Sequence, residues 1–184
     1  VPQKSYDILA VGNAIIDVFS QCDDDFLQQH DIEKGAMSLV DAAASQSLLT
    51  AISTAASPQL ISGGSAANTA AGLAALGGKA AFVGRVHNDE LGAAFCRDIK
   101  AAGVTFAATP VENGAPTASS IILVTPDAAR SMNTFLGASI EFQPEDINLA
   151  AADAEVIYLE CYLYDAPAGP AIFSKAAQMA ARYQ

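Results

Sequence analysis

Two polar side chains stand in apolar, strand-forming surroundings. Asp17 lies within Ile15 to Ser20, a run of β-branched and aromatic residues, and Asn13 precedes it just after the apolar stretch YDILAVG. An unpaired carboxylate there is costly, so Asp17 either has an ion-pair or backbone partner or waits for a ligand. A carboxylate accepting from two adjacent hydroxyls, beside an amide that both donates and accepts, is chemistry suited to a sugar diol.

The second concentration of chemistry is Gly63-Gly64-Ser65-Ala66-Ala67-Asn68, a glycine pair that stops an extended segment and opens a small-residue helix running to Leu76. Lacking Cβ atoms, the pair allows a sharp turn and close approach of another molecule. Ser65 and Asn68 fall where a helix start leaves amide donors unpaired. A phosphate cradle is one reading, but neither GxxxxGKS/T nor GxGxxG occurs, and Lys79 lies beyond the helix. A plain strand-to-helix turn is another. Asn68 favours a ligand, because an amide within an otherwise apolar helix needs partners.

Other candidates are weaker. Arg130 stands between two expected strands and is either solvated or a positive contact in a very acidic chain. His30 and His87 have no companions at metal or triad spacing. Cys22, Cys96 and Cys161 are odd in number and widely spaced, which suggests packed thiols rather than a disulfide framework or zinc site, and a reducing cytoplasmic location. The formal net charge of -11 argues against nucleic acid or an anionic membrane as partner. From Ala42 to Gly78 no charge occurs, but Pro58, the glycines and the hydroxyl residues argue for a buried helix rather than a membrane span.

The elements that must position these residues follow an α/β rhythm. Strands are expected over 6–12, 15–20, 37–40, 60–61, 78–83 and 155–159. Helices are expected up to His30, over 42–55 behind Asp41 as N-cap, over 66–76, over 90–102 ending at Gly103, from Pro144, and over 169–183. Asp23, Asp24 and Asp25 suit a helix N-terminus without any metal. The segments 105–110, 118–124 and 131–136 follow one another without helices and predict a small antiparallel sheet beside the main one, as a lid would be built. The domain looks unfinished after its last strand and helix, and the length fits a single domain.

YDILAVGNAIIDV, GGSAANTAAGLAALGGKAAFVGRVHNDELG, RSMNTFLGAS and VIYLECYL together resemble the ribokinase-like (pfkB) family of carbohydrate and nucleoside kinases, most closely its adenosine-kinase-like branch. The resemblance implies a three-layer α/β/α fold with a mainly parallel sheet, here the N-terminal part of one domain over 1–184, with lid segments at about 14–40 and 104–136. It implies that Asn13, Asp17, Gly63, Gly64 and Asn68 bind sugar hydroxyls with Ser65 nearby. It places Ile15, Met37 and Phe135 on the pocket wall and Arg130 near transferred phosphate. It also implies ATP and Mg2+, with the γ-phosphoryl passing to a primary hydroxyl of a sugar or nucleoside. No residue here is expected to be the catalytic base or a metal ligand, because the family's GAGD-type motif is absent from these residues. His87 stands where the family signature has glycine, Ala128-Ala129 where a Gly-Glu pair is common, and Cys161 where glycine is usual. The alternatives are a non-catalytic sugar- or nucleoside-binding module and an assembly subunit using the lid. A monomer or a lid-mediated homodimer is expected.

Overall fold

Burial on both faces selects the strands of the central sheet. In the computed structural model, which describes residues 4–55, 57–147 and 153–182, the elements run β1 (Tyr6–Val11), β2 (Ile15–Gln21), α1 (Asp24–Gln29), β3 (Met37–Leu39), α2 (Ala42–Ala55), β4 (Gln59–Gly63), α3 (Ser65–Ala75), β5 (Ala80–Val83), α4 (Glu90–Ala101), β6 (Thr105–Phe106), β7 (Ala118–Val124), β8 (Arg130–Phe135), β9 (Ala154–Leu159) and α5 (Gly169–Arg182). The near-continuous apolar runs in β1 and β5 form a parallel sheet in the order β6-β5-β1-β9. Leu9, Val11, Ala81 and Val83 face Leu163, Ile172, Ala176 and Met179, while Ala10, Ala80 and Phe82 join the cluster holding Ala66, Ala70, Phe95 and Ile99. Helices therefore cover both faces, α5 on one and α3 with α4 on the other.

A second sheet, β3-β8-β7-β2-β4, is the lid. β2 and β8 alternate between buried and less buried positions, whereas β7 is buried from Ala118 to Leu123. Ile16, Val18, Ile121 and Leu123 face the core cluster that includes Leu48 and Ile52 of α2, so the other parity of each strand forms the outer face. The lid departs from the small antiparallel sheet expected from sequence. β2 pairs parallel with β7 and antiparallel with β4, and β4, outside the expected lid segments, is one of its edges. β6, expected in the lid, belongs to the main sheet, because Phe106 joins Phe82 and Phe95 in an aromatic group with centroid separations of 5.7 to 6.2 Å. The lid segment expected over 104–136 thus begins too early. α2 is a surface helix, not a buried one: Ser45, Leu48 and Ile52 make a narrow inward stripe while Ala42, Ala43, Gln46 and Ser47 are exposed.

Local signals place the remaining elements. Asp23 caps α1 through the Phe26 amide at 2.8 Å, and Asp89 caps α4 through that of Gly92 at 2.8 Å. Pro144–Asp146 makes only a 3-10 turn. At the lid's rim Lys34 bridges Asp24 at 2.7 Å and Asp127 at 3.0 Å. Hydrogen bonds from Thr125 first, then Lys34, lower the Asp127 carboxyl to about 2. Among the described residues no helix is long and apolar enough to cross a membrane.

Phe95, fully buried between α4 and the sheet, is the test of this packing. Phe95→Ala should cost about 3–5 kcal/mol, read as a lower urea midpoint; an unchanged midpoint would show that the aromatic group does not hold α4 down.

Candidate functional site

The chain crosses from core to lid and back at closely packed points. β1 passes into β2 through Gly12, Asn13 and Ala14, and β4 returns to α3 through Gly63 and Gly64. Gly64 has φ +99, and a Cβ there would collide with the Asn13 carbonyl oxygen. A Cβ on Gly63 would lie 2.6 Å from Asp17 Oδ2. Glycine is therefore needed at both places, at one for backbone conformation and at both for room. From below, the turn after β8 supports the crossing, with the buried Ser139 hydroxyl donating to the Ala14 carbonyl at 3.1 Å.

Strand register brings one row of side chains across the outer face of the lid: Leu39, Thr134, Ser120, Asp17 and Ile61. The Ser120 and Thr134 hydroxyls are 2.9 Å apart. Ile15 lies in the next row beside Gly63 and Ala118. Asp17 is half-buried, no donor among the described residues reaches its carboxylate, and desolvation raises its pKa above the ordinary carboxylate value. Asn13 is 5 % exposed, and among the described residues its side-chain oxygen has no hydrogen-bond partner. An acceptor buried without a donor is uncommon in a folded protein. Asn13 and Asp17 thus supply two acceptors at one crossing that no donor among the described residues satisfies.

The other expected residues divide. Ser65 opens α3 beside them, but its amide and hydroxyl both donate to Glu160. Asn68 is exposed on the next turn of α3, so the cost of burying its amide, the reason for favouring a ligand there, does not arise. Met37 is exposed on the edge strand β3, on the Asp17 face and three strands, roughly 14 Å, from β2. Phe135 is not on that face. It pairs with Ser119, the neighbour of Ile16, and lines a groove with Val18, Ser45 and Leu49 on the core side. Strand alternation puts it opposite Thr134. Arg130 does lie on the Asp17 face, exposed, four residues or roughly 13 Å along β8 from Thr134. Among the described residues no group of three or more His, Cys, Asp or Glu side chains is placed to hold a metal.

Sequence reasoning missed Glu160. It is 4 % exposed and directly follows β9 at the carboxyl edge of the parallel sheet, where α/β proteins gather their sites. An acidic residue directly after the apolar run VIYL was the available signal.

A parallel α/β core carrying a small β-sheet lid, with unsatisfied acceptors at the junction, is the ribokinase-like architecture, shared with a probable sugar kinase from Rhizobium etli CFN 42 and an adenosine kinase from Sinorhizobium meliloti. Each is 45 % identical with a TM-score of 0.85; they cover 98 % and 97 % of this chain, and this chain covers 54 % of each. Residues 30–184 match the model of the pfkB family carbohydrate kinases, and the chain belongs to that family. The curated "Probable fructokinase-4" of Arabidopsis thaliana is 33 % identical over 89 residues, 47 % of this chain and 27 % of that relative. The chain thus spans about half the length of the solved relatives, and a smaller share of the curated one.

The raised pKa of Asp17 has a thermodynamic consequence. Burial favours the protonated form, so the stability it contributes is full below the unfolded carboxylate value and is lost as pH rises through the folded one. Asp17→Asn removes the charge, so its Tm should exceed the parent's at pH 7, with the gap closing towards pH 4. A scanning-calorimetry series that shows no gap at pH 7 would mean the carboxylate is not desolvated.

Proposed function

We propose that this chain is the acceptor-binding part and lid of a nucleoside or sugar kinase, with adenosine the favoured acceptor and the γ-phosphoryl of ATP destined for a primary hydroxyl. The observation that carries the reading is the pair of acceptors, Asn13 Oδ1 and the Asp17 carboxylate, left without donors among the described residues at the junction of core and lid. A ribose diol would satisfy them. Ile15, Phe19, Met37 and Met132 share the outer face and offer apolar surface for a flat base, with the Ser120 and Thr134 hydroxyls beside Asp17. The adenosine kinase of Sinorhizobium meliloti and the probable sugar kinase of Rhizobium etli stand at the same 45 % identity, so it is the apolar surface suited to a flat base that favours a nucleoside over a free sugar.

In this reading Asp17 and Asn13 fix the sugar, Gly63 and Gly64 leave room for it, and the lid excludes water from the acceptor. Arg130 would move with the lid towards the transferred phosphate. ATP would supply the phosphoryl group and Mg2+ the charge neutralisation. The described residues do not gather a metal-binding group, so no magnesium-dependent step is assigned to them. The general base and anion hole are assigned to a GAGD-type motif, which these residues lack. The same two observations favour the second reading, a binding module that performs no transfer.

Calorimetric titration tests the shared part. Adenosine should bind the chain, and Asp17→Asn should weaken binding by roughly 1.5–3 kcal/mol, the worth of a charge-assisted hydrogen-bond set. 2′,3′-Dideoxyadenosine should bind the parent no better than adenosine binds the variant; equal affinity for both nucleosides would remove the diol from the reading. With labelled ATP and adenosine, these residues should leave ATP unconsumed, and turnover would overturn the assignment of chemistry elsewhere.

A further inference from the structure

Glu160 has no place in the hydroxyl-binding scheme, yet its carboxylate touches both halves of it. Oε2 accepts from the Asn13 backbone amide at 2.6 Å, and Oε1 accepts from the Ser65 amide at 3.1 Å and from the Ser65 hydroxyl. Its own amide donates to the Val11 carbonyl at 2.9 Å, which fixes its backbone to the end of β1. A Cβ on Gly12 would lie 2.6 Å from the Ala66 Cβ and 2.8 Å from Oε2, so glycine there leaves room for both α3 and the carboxylate. No cation pairs with it among the described residues. A buried carboxylate held only by neutral donors, at the start of a helix, is sustained by the geometry of those donors.

We infer that Glu160 is a positioning residue: it clamps the β1–β2 crossing to the first turn of α3, and so sets the distance between the Asn13 acceptor and the Gly63–Gly64 turn against Asp17. Both of its oxygens are engaged inward, so it acts through Asn13 and not by touching the ligand. Charge is essential to the clamp. Glutamine in its place offers one acceptor oxygen and a donor NH2, and whichever way the amide turns, it sets NH2 against an amide that donates. Aspartate keeps the charge but is a methylene too short to span both elements.

The inference rests on the proposed binding of a hydroxylated ligand, and two measurements separate its failure from failure of that reading. The first needs no ligand. In amide NMR spectra of the unliganded chain the Asn13 and Ser65 protons should be far downfield and protected from exchange; Glu160→Gln should shift both upfield while the Phe82 and Phe95 amides stay put. Unmoved Asn13 and Ser65 signals in a folded variant would overturn the clamp. The second is titration with adenosine. Glu160→Gln should weaken binding roughly ten- to hundredfold, Glu160→Asp should not rescue it, and adding Asn13→Ala to Glu160→Gln should cost little more than either change alone. Additive losses would show that Glu160 contacts the ligand itself and would overturn the positioning role. If the parent binds no nucleoside or sugar, the hydroxyl-site reading falls, while the clamp is still decided by the amide signals. Ser65→Ala, which deletes one donor and keeps the carboxylate, should shift the Ser65 amide signal and leave that of Asn13 in place. Loss of the Asn13 signal in that variant would mean the two halves are not held independently by the carboxylate.

Discussion

The structure depends on how closely two crossings of the chain can approach each other. Where β1 leaves the core for the lid and β4 comes back, the Asn13 carbonyl lies against Gly64 and the Asp17 carboxylate against Gly63, with no space for a side chain at either glycine. That contact lies where the chain passes between two sheets which, among the described residues, share no hydrogen-bonded strand. Burial on the core side of the lid holds the sheets together, and the crossings decide where the polar groups end up.

Polar groups concentrate at this seam because regular structure is interrupted there. Backbone amides that would be paired inside a strand or helix are free at its ends, and Glu160 uses two of them. The same interruption leaves Asn13 Oδ1 unpaired. An interior junction therefore both supplies donors to a structural carboxylate and withholds them, among the described residues, from the Asn13 and Asp17 acceptors. The stability cost of keeping Asp17 desolvated falls at the same place, so the site is an exception to the otherwise apolar packing around it.

Local chemistry made part of this legible in sequence. The run YDILAVG reads as a buried strand because every residue near its end is apolar, and the glycine pair followed by small residues reads as a turn into a helix packed at close range; both are so. Asn13 and Asp17 stand out because their side chains contradict their surroundings. What failed needed knowledge of partners. Phe106 belongs to the main sheet because of two other phenylalanines, and Phe135 faces the core because of its pairing with Ser119. Alternation along β8 defines two faces without saying which is wet. Asn68 is exposed because only one side of α3 meets the sheet. The Asn13–Glu160 contact spans 147 positions, and no window of sequence holds both ends.

The two faces of the lid have unequal tolerance to change. On β2 and β7 the residues of one parity fill the core and those of the other line the candidate site, and the register between the strands is continuous from Ile15 beside Ala118 to Gln21 beside Val124. A substitution alters one position on one face. A single inserted or deleted residue would turn Asp17 inward and Ile16 outward, exchanging the two surfaces along the rest of the strand. Over evolutionary time such strands can vary what they display far more freely than how long they are, and descent in this lid should be recorded in letters changed, with gaps confined to its turns.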